Sequence, residues 1–416
     1  MSDAPRSTAR VRLVVLGCGF GGYSLLTRLD LSRWDATLLA PRNYFLFYPL
    51  LASATVGTVE LRSILEPVPR RLRGLSVVQA EAEAVDFAAR ELSCRAAVGG
   101  ETFTVGYDLL VVAVGARVAD YGVPGVAEHA LPLRTVGDAR AIRKGLLDRF
   151  AEAGVPGLPA EEVRRRLTFV VCGGGPTGVE VAAEISDLVH RELARDEPRL
   201  AGAARVVLVE ATDRLLTGFD EALAGYAREH FLSEGIEVRT SAPVVEVAPR
   251  EVRLGGGETI PCGLVVWAGG NAPVSLVERL DVPKDSHGRL LTDRTLRLVD
   301  HPEVFALGDC AVPADLPLPA TAQVAQQQGK HLAKQLERLR RGRELRPFVF
   351  KSAGMLAYVG GGEALADLPH LRWSGRAAWI LWRSVYLTKL VSTANKVKVL
   401  FDWAKNRVFG RDVSRF

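Results

Sequence analysis

The chain has 416 residues, 48% hydrophobic and 24% charged, with 40 glycines and 22 prolines that follow no triplet period. At about 150 residues per domain this gives two to three domains with room for real cores, and it excludes a disordered chain, a fibrous one and a disulfide-stapled mini-protein. The net charge of +5 is a property of the tail: residues 371–416 hold ten Lys/Arg against Asp402 and Asp412, a local +8, so the other 370 residues sum to −3.

The first ten residues (MSDAPRSTAR) are polar and lack the apolar stretch of a secretory signal, so the protein is expected to stay where it is made. Arg12–Leu16 (RLVVL) reads as a buried parallel strand. It runs into Gly17-Cys-Gly19-Phe-Gly-Gly22, an amphipathic stretch to Leu29 and a second strand, Ala36–Leu39. A strand, GxGxxG, helix and strand in that order form the dinucleotide-binding context. Gly17 allows the tight turn, Gly19 lets the backbone approach a pyrophosphate, and Gly22 lets helix and strand pack closely. No acid ends the second strand; Ala40, Pro41 and Arg42 stand there.

Tyr107–Gly115 reads as another apolar strand ending in small residues that would let a cofactor pass close to backbone. The loop pattern then recurs. Strand Leu167–Cys172 leads into Gly173-Gly-Gly175-Pro-Thr-Gly178, a helix to about His190, and strand Arg205–Val209 ending in Glu210. A carboxylate at that position accepts ribose hydroxyls and disfavours a 2′-phosphate, which points to NADH over NADPH. Leu264–Gly270 repeats the strand with small residues, and Val304–Asp309 (VFALGD) is a strand ending in Gly-Asp. Asp309 suits cofactor hydroxyls there, or a helix N-cap.

In the tail, Val397, Leu400, Phe401, Ala404 and Val408 form one helical stripe. Lys396 and Arg407 flank it on one side and Lys398 and Lys405 on the other, an arrangement that lets the stripe sink into lipid while the bases reach headgroups. Trp403 lies off the stripe, and a docking or dimer helix is the other reading. No apolar run reaches the roughly 18–20 residues of a spanning helix; Ala377–Val391 is interrupted by Arg383 and Lys389. The basic charge is interleaved with too much apolar surface for a nucleic-acid partner. The five cysteines (18, 94, 172, 262, 310) are dispersed, with no metal spacing, and read as small buried residues. No metal and no catalytic cysteine are expected.

With two such loops in one chain, the sequence resembles the two-dinucleotide-binding-domain flavoproteins. Arg42–Thr58 (RNYFLFYPLLASATVGT), Ala322–Gly329 (AQVAQQQG) and the terminal GRDVSR narrow the resemblance to type II NADH:quinone oxidoreductases, in their mitochondrial-like branch. The resemblance implies an α/β fold of two Rossmann-like domains plus a C-terminal membrane-associating segment. The FAD-binding domain (11–120 and 276–345) would be split by an inserted NADH-binding domain (121–275), and 346–416 would hold strands and amphipathic helices. It implies non-covalent FAD at Gly17, Gly19, Phe20, Gly22, Pro41, Arg42, Gly115, Asp309 and Ala325, and NADH at Gly173, Gly175, Thr177, Gly178, Glu210 and Gly269. Glu180 would lie near nicotinamide and flavin, and Gln323 and Gln327 would line a quinone pocket. From the residues alone, Gln323 and Gln327 are one-sided helix glutamines able to donate to a carbonyl, and Glu180 is an acid one turn into a helix, favoured there by the helix dipole.

The expected activity is oxidation of NADH with two-electron reduction of a membrane quinone, without proton pumping. It would be carried out by a peripheral homodimer on the cytoplasmic face of the cell membrane. The alternatives are sulfide:quinone oxidoreductase or another flavin enzyme of this architecture, which would need a reactive cysteine pair or another donor, and a non-enzymatic NADH sensor, which would reduce once and stop.

Overall fold

The computed structural model describes residues 10–414; the remainder of the N-terminal segment and Arg415 of the GRDVSR motif lie outside the described residues. In chain order, the elements that build the sites are β1 (Arg12–Leu16), α1 (Phe20–Leu26), β2 (Asp35–Leu39), α2 (Leu51–Thr55), β3 (Leu109–Val112), β4 (Thr168–Cys172), α3 (Pro176–Asp187), β5 (Arg205–Val209), β6 (Leu264–Trp267), β7 (His301–Ala306), α4 (Ala322–Arg340), β8 (Met355–Gly360), β9 (Glu363–Leu368), β10 (Leu371–Gly375), α5 (Arg376–Lys389) and α6 (Thr393–Phe409).

The chain divides into two compact units. The first comprises residues up to Leu46, Glu66–Arg117 and Asn271–Ser352; the second comprises Phe47–Leu65, Val118–Gly270 and the chain from Ala353. In the first unit, β7, β3, β1 and β2 lie side by side in an eight-stranded sheet and run parallel, with Leu16 beside Leu39 and Val112. Parallel strands are buried on both faces, which is why Leu13, Val15, Leu110 and Val111 are continuous apolar residues rather than alternating ones. Helix α1 follows β1 directly. Helix α4 crosses it so closely that a Cβ on Gly329 would collide with the Gly21 carbonyl and come within 3.0 Å of the Leu25 amide.

In the second unit, β6, β4 and β5 form the centre of a five-stranded parallel sheet, flanked by Leu131–Pro132 and Ile236–Arg239. The β8–β10 meander is antiparallel and packs on α3 and α5. Helix α6 is capped by Ser392, whose Oγ accepts from the Asn395 amide at 3.2 Å. It docks through polar side chains: Asn395 Nδ2 donates to the Leu65 carbonyl (2.9 Å), the Glu60 amide donates to Asp402 (3.0 Å), and Asn406 Nδ2 donates to the Gly57 carbonyl (2.8 Å). Val399 and Trp403 share this buried face, which explains why Trp403 lies off the apolar stripe.

Residues 47–65 and the chain from 353 therefore cluster with residues 118–270. The expected limits place 47–65 in the first domain and 346–416 in a segment of its own; by packing, 47–65 and the chain from 353 lie in the second unit. The side chains of α6 bind the 57–65 stretch, and the meander covers α3.

Gly329→Ala is expected to destabilise the first unit by about 1–3 kcal/mol through overpacking. Thermal melting reads this as a drop of several degrees. An unchanged melting temperature would show that α1 and α4 can separate without loss.

Candidate functional site

The glycines of each loop divide into packing positions and an open one. In the first unit Gly17 has φ +94°, and a Cβ there would strike the Ala113 carbonyl; a Cβ on Gly22 would strike the Gly17 carbonyl. Gly19, between them at the N-cap of α1, meets nothing within 4 Å. The second unit repeats this. Gly173 (φ +114°) lies against the Ala268 carbonyl and Gly178 against the Gly173 carbonyl, while Gly175 at the N-cap of α3 faces open space. Bare backbone at a helix N-terminus, held in place by glycine contacts on both sides, is what a pyrophosphate requires. Both loops thus fit a dinucleotide.

Around the first loop, Phe20 packs edge-on against Phe45 with ring centroids 5.0 Å apart, Pro41 and Arg42 are exposed, and Gly115 has φ +73°. Asp309 sits in a single 3₁₀ turn, Gly308–Cys310, followed by a short strand rather than a helix; the N-cap of α4 is Thr321. Gly308 (φ +77°) brings its Cα against Ala325, and its amide donates to Oε1 of the fully buried Gln328 at 2.8 Å. Gln328 and Gly329 are the residues of the AQVAQQQG segment that sequence reasoning missed. Their signal is positional, for both lie on the buried face of α4. Gln323 and Gln327 share that helix, and the Gln327 amide is engaged on both sides by Lys351, donating to its carbonyl (2.8 Å) and accepting from its N–H (3.1 Å).

Around the second loop, Glu210 follows β5 directly. Its Oε2 accepts from the Gly174 amide at 2.5 Å, and its Oε1 accepts from the Thr212 amide (2.7 Å) and hydroxyl (2.8 Å). The carboxylate is fixed beside the loop, with acceptor capacity left for hydroxyls. Gly269 is held close to the Trp267 indole, which donates to the Ala119 carbonyl at 2.7 Å. Thr177 is half-buried in the first turn of α3.

Helix α3 carries Glu180, and one and two turns further on Glu184 and Asp187, on one face of an otherwise apolar segment. Glu180 as a residue is half-buried, but its carboxyl lies among protein atoms. Burial pushes it up to about 8, against the opposing pull of the Tyr358 amide (3.2 Å to Oε1) and the Trp382 indole. Burial also raises Glu184, which is 2% exposed; the Arg411 guanidinium at 3.4 Å pulls it back down. Glu184, Asp187, Tyr358 and Arg411 were not singled out from sequence. Their signal was three acids at i, i+4 and i+7 in an apolar helix, and an arginine in a motif noted without a role.

All five cysteines are free, and burial raises every thiol, Cys94 and Cys310 to about 11, Cys18 and Cys262 to about 12, and Cys172 well above its usual range. Neutral thiols are poor nucleophiles, which weighs against the cysteine-dependent alternatives.

Two sheets with parallel centres, each with a glycine loop between a central strand and a helix, define an oxidoreductase fold that binds two dinucleotides. Residues 11–329 match the family model of pyridine nucleotide-disulphide oxidoreductases, and residues 353–412 match that of the NDH2 C-terminal domain. The chain is 39% identical over 411 residues to a probable NADH dehydrogenase of Dictyostelium discoideum, covering 97% of this chain and 91% of that protein. It is 36% identical over 464 residues to the mitochondrial external NADH-ubiquinone oxidoreductase 2 of Saccharomyces cerevisiae, covering 99% and 85%. Its fold matches that of NDH2 from Plasmodium falciparum, solved in complex with NADH, with a TM-score of 0.93 at 24% identity over 98% of this chain and 100% of that one. The chain belongs to the pyridine nucleotide-disulphide oxidoreductase family and, within it, to the type II NADH dehydrogenases.

Glu180→Gln separates the electrostatic reading of this site from a packing one. Because the folded-state carboxyl is raised from about 4.5 to about 8, folding is penalised increasingly as pH rises through that window. The melting temperature of the glutamine variant relative to the parent should therefore climb by several degrees between pH 5 and pH 8.5 and level off above. A difference independent of pH would contradict the raised carboxyl.

Proposed function

We propose that this chain oxidises NADH with FAD as its resident cofactor and reduces a membrane quinone by two electrons, without pumping protons. The observation that carries this reading is the pair of glycine loops whose middle glycines face open space while their neighbours are packed. FAD would be held by the first loop, with Gly17, Gly19, Phe20 and Gly22 at its pyrophosphate. Pro41, Arg42, Gly115, Asp309 and Ala325 would lie along the rest of it. NADH would be held by Gly173, Gly175, Thr177 and Gly178, with Gly269 beneath it and Glu210 on its ribose, where a 2′-phosphate would meet a fixed negative charge. Bound FAD supplies the redox chemistry, accepting from NADH and donating to quinone.

The protein's own part is orientation, exclusion of water and the handling of one proton. Glu180 is the proposed acid next to the chemistry, because burial keeps its carboxyl protonated near neutral pH. Gln323 and Gln327 are the proposed quinone-side amides. For Gln327 to donate to a quinone carbonyl it must release the Lys351 backbone.

A lipid-dissolved substrate brings the enzyme to a bilayer. Among the described residues no helix is long and apolar enough to cross a membrane. The stripe on α6 faces away from the protein: Val397, Leu400, Phe401 and Val408 are 60%, 49%, 65% and 72% exposed, with Ala404 exposed among them. Hence the proposal that α6 lies in the bilayer surface on the cytoplasmic face of the membrane. The chain is proposed to act as a homodimer, with residues 371–391, where Trp373 and Ile380 lie exposed, meeting either lipid or the second copy.

Quinone confined to anionic vesicles tests both parts. The purified protein should sediment with the vesicles and sustain many turnovers of NADH. Val397→Ser, Leu400→Ser and Phe401→Ser combined should release it and lower that turnover at least tenfold. Full sedimentation of the triple variant would remove lipid contact by α6, and no turnover by the parent protein would remove quinone as acceptor.

A further inference from the structure

Three carboxylates on one buried helical face need an explanation beyond the first of them. Glu180, Glu184 and Asp187 lie at successive turns of α3. Glu184 and Asp187 are 2% and 4% exposed. Burying ionised carboxylates costs several kcal/mol each unless they are paired, and a packing role would be served better by apolar residues. Two guanidinium groups serve this face, Arg411 (3.4 Å to Glu184, 4.0 Å to Asp187) and Arg191 (2.9 Å to Asp187).

Beside Glu184 lies a cavity of about 60 Å³, lined by Ser53, Thr58, Tyr358, Arg383, Trp403 and Arg411 among others. Water takes about 30 Å³ in the liquid, so the cavity has room for about two molecules. Thr58 Oγ1 donates to Glu184 at 2.6 Å. The Arg383 Nε and Trp403 Nε1 groups at the cavity are buried and meet no protein acceptor, the condition that ordered water satisfies. At the far end the Tyr358 hydroxyl donates to Asp187 at 2.5 Å, and Asp187 also holds Arg191, which is 47% exposed.

We propose that this face of α3 is a proton route: Glu184, whose carboxyl meets the cavity, passes a proton to Glu180 one turn back on the same helical face and is reprotonated from the Asp187–Tyr358 end, which opens to solvent beside Arg191. The inference rests on the role of Glu180 given above. The reaction consumes one proton from water, as NADH, H⁺ and quinone give NAD⁺ and quinol. Each transfer breaks one O–H bond and forms another, and the route returns to its starting state after each turnover. The groups that set the charge of Glu184 are Glu180 and Asp187 on its own helix, Tyr358 on β8, Arg383 on α5, Arg411 on the terminal segment, and the Ser53 and Thr58 hydroxyls. Arg411, which also donates to the Glu184 carbonyl at 3.3 Å, is the group whose removal should leave Glu184 protonated to higher pH.

The test uses the full chain with its flavin bound. Glu184→Gln should lower quinone-dependent kcat at least tenfold, raise the solvent deuterium isotope effect, and abolish one pH-titrating protonated-carboxyl band in the infrared spectrum; Glu184→Asp should recover most of the rate. In Arg411→Gln the same band should persist to higher pH and the alkaline limb of the kcat profile should move with it. That second variant keeps the test decisive if Glu184→Gln folds poorly. Glu184→Gln with parental kcat and isotope effect, while Glu180→Gln is slow, overturns the route and leaves Glu180 in place. Parental rates in both variants overturn the role of Glu180 and the route with it. An infrared band unmoved in Arg411→Gln likewise contradicts the route.

Discussion

Wherever this chain is shaped for a nucleotide, a glycine Cα rests against the carbonyl oxygen of another glycine five residues earlier. Gly22 sits on Gly17 in one unit, and Gly178 on Gly173 in the other. A methyl group at either site would push the helix off its strand. Everything else at the two cradles depends on that contact, because it sets the height of the helix N-terminus above the sheet and leaves Gly19 and Gly175 bare toward the ligand. The same economy of side chains recurs at the crossing of α1 and α4, where Gly329 presses on Gly21. It lets Gln328 reach the Gly308 amide and fix the turn that carries Asp309.

The second unit adds a chemical asymmetry. Its nucleotide helix α3 carries buried acids, and the terminal segment of the chain supplies Arg411 to them. The helix that presents an apolar stripe outward, α6, leads straight into that arginine. The helix proposed to meet the membrane and the arginine that pairs with the buried acids of α3 are therefore consecutive in the chain and share one structural unit.

The strands, both glycine loops and Glu210 were legible because each is a local pattern: an apolar run, a glycine spacing, an acid at a strand end. The stripe on α6 was legible for the same reason. The buried face of that helix was not, because Asn395, Asp402 and Asn406 are polar residues whose burial depends on partners some 330 to 350 positions away. Glu184 and Asp187 were hidden similarly, since a helix acid reads as exposed until its tertiary partners are known. The glutamine segment was read at Gln323 and Gln327, where the family resemblance directed it, while packing gives the buried structural part to Gln328 and Gly329. The attachment of 47–65 to the C-terminal elements rests on hydrogen bonds between distant positions, which no local pattern shows.

The central claim is that one chain holds a flavin at the first loop, takes NADH at the second and delivers the electrons to quinone. Its most direct test is an anaerobic titration of the purified yellow protein, followed by flavin absorbance. The account expects one equivalent of NADH to bleach the flavin, NADPH to do so far more slowly, and one equivalent of a short-chain quinone to restore the colour. Bleaching by NADH with no recovery on adding quinone would leave the two nucleotide cradles standing and contradict the assignment of the acceptor.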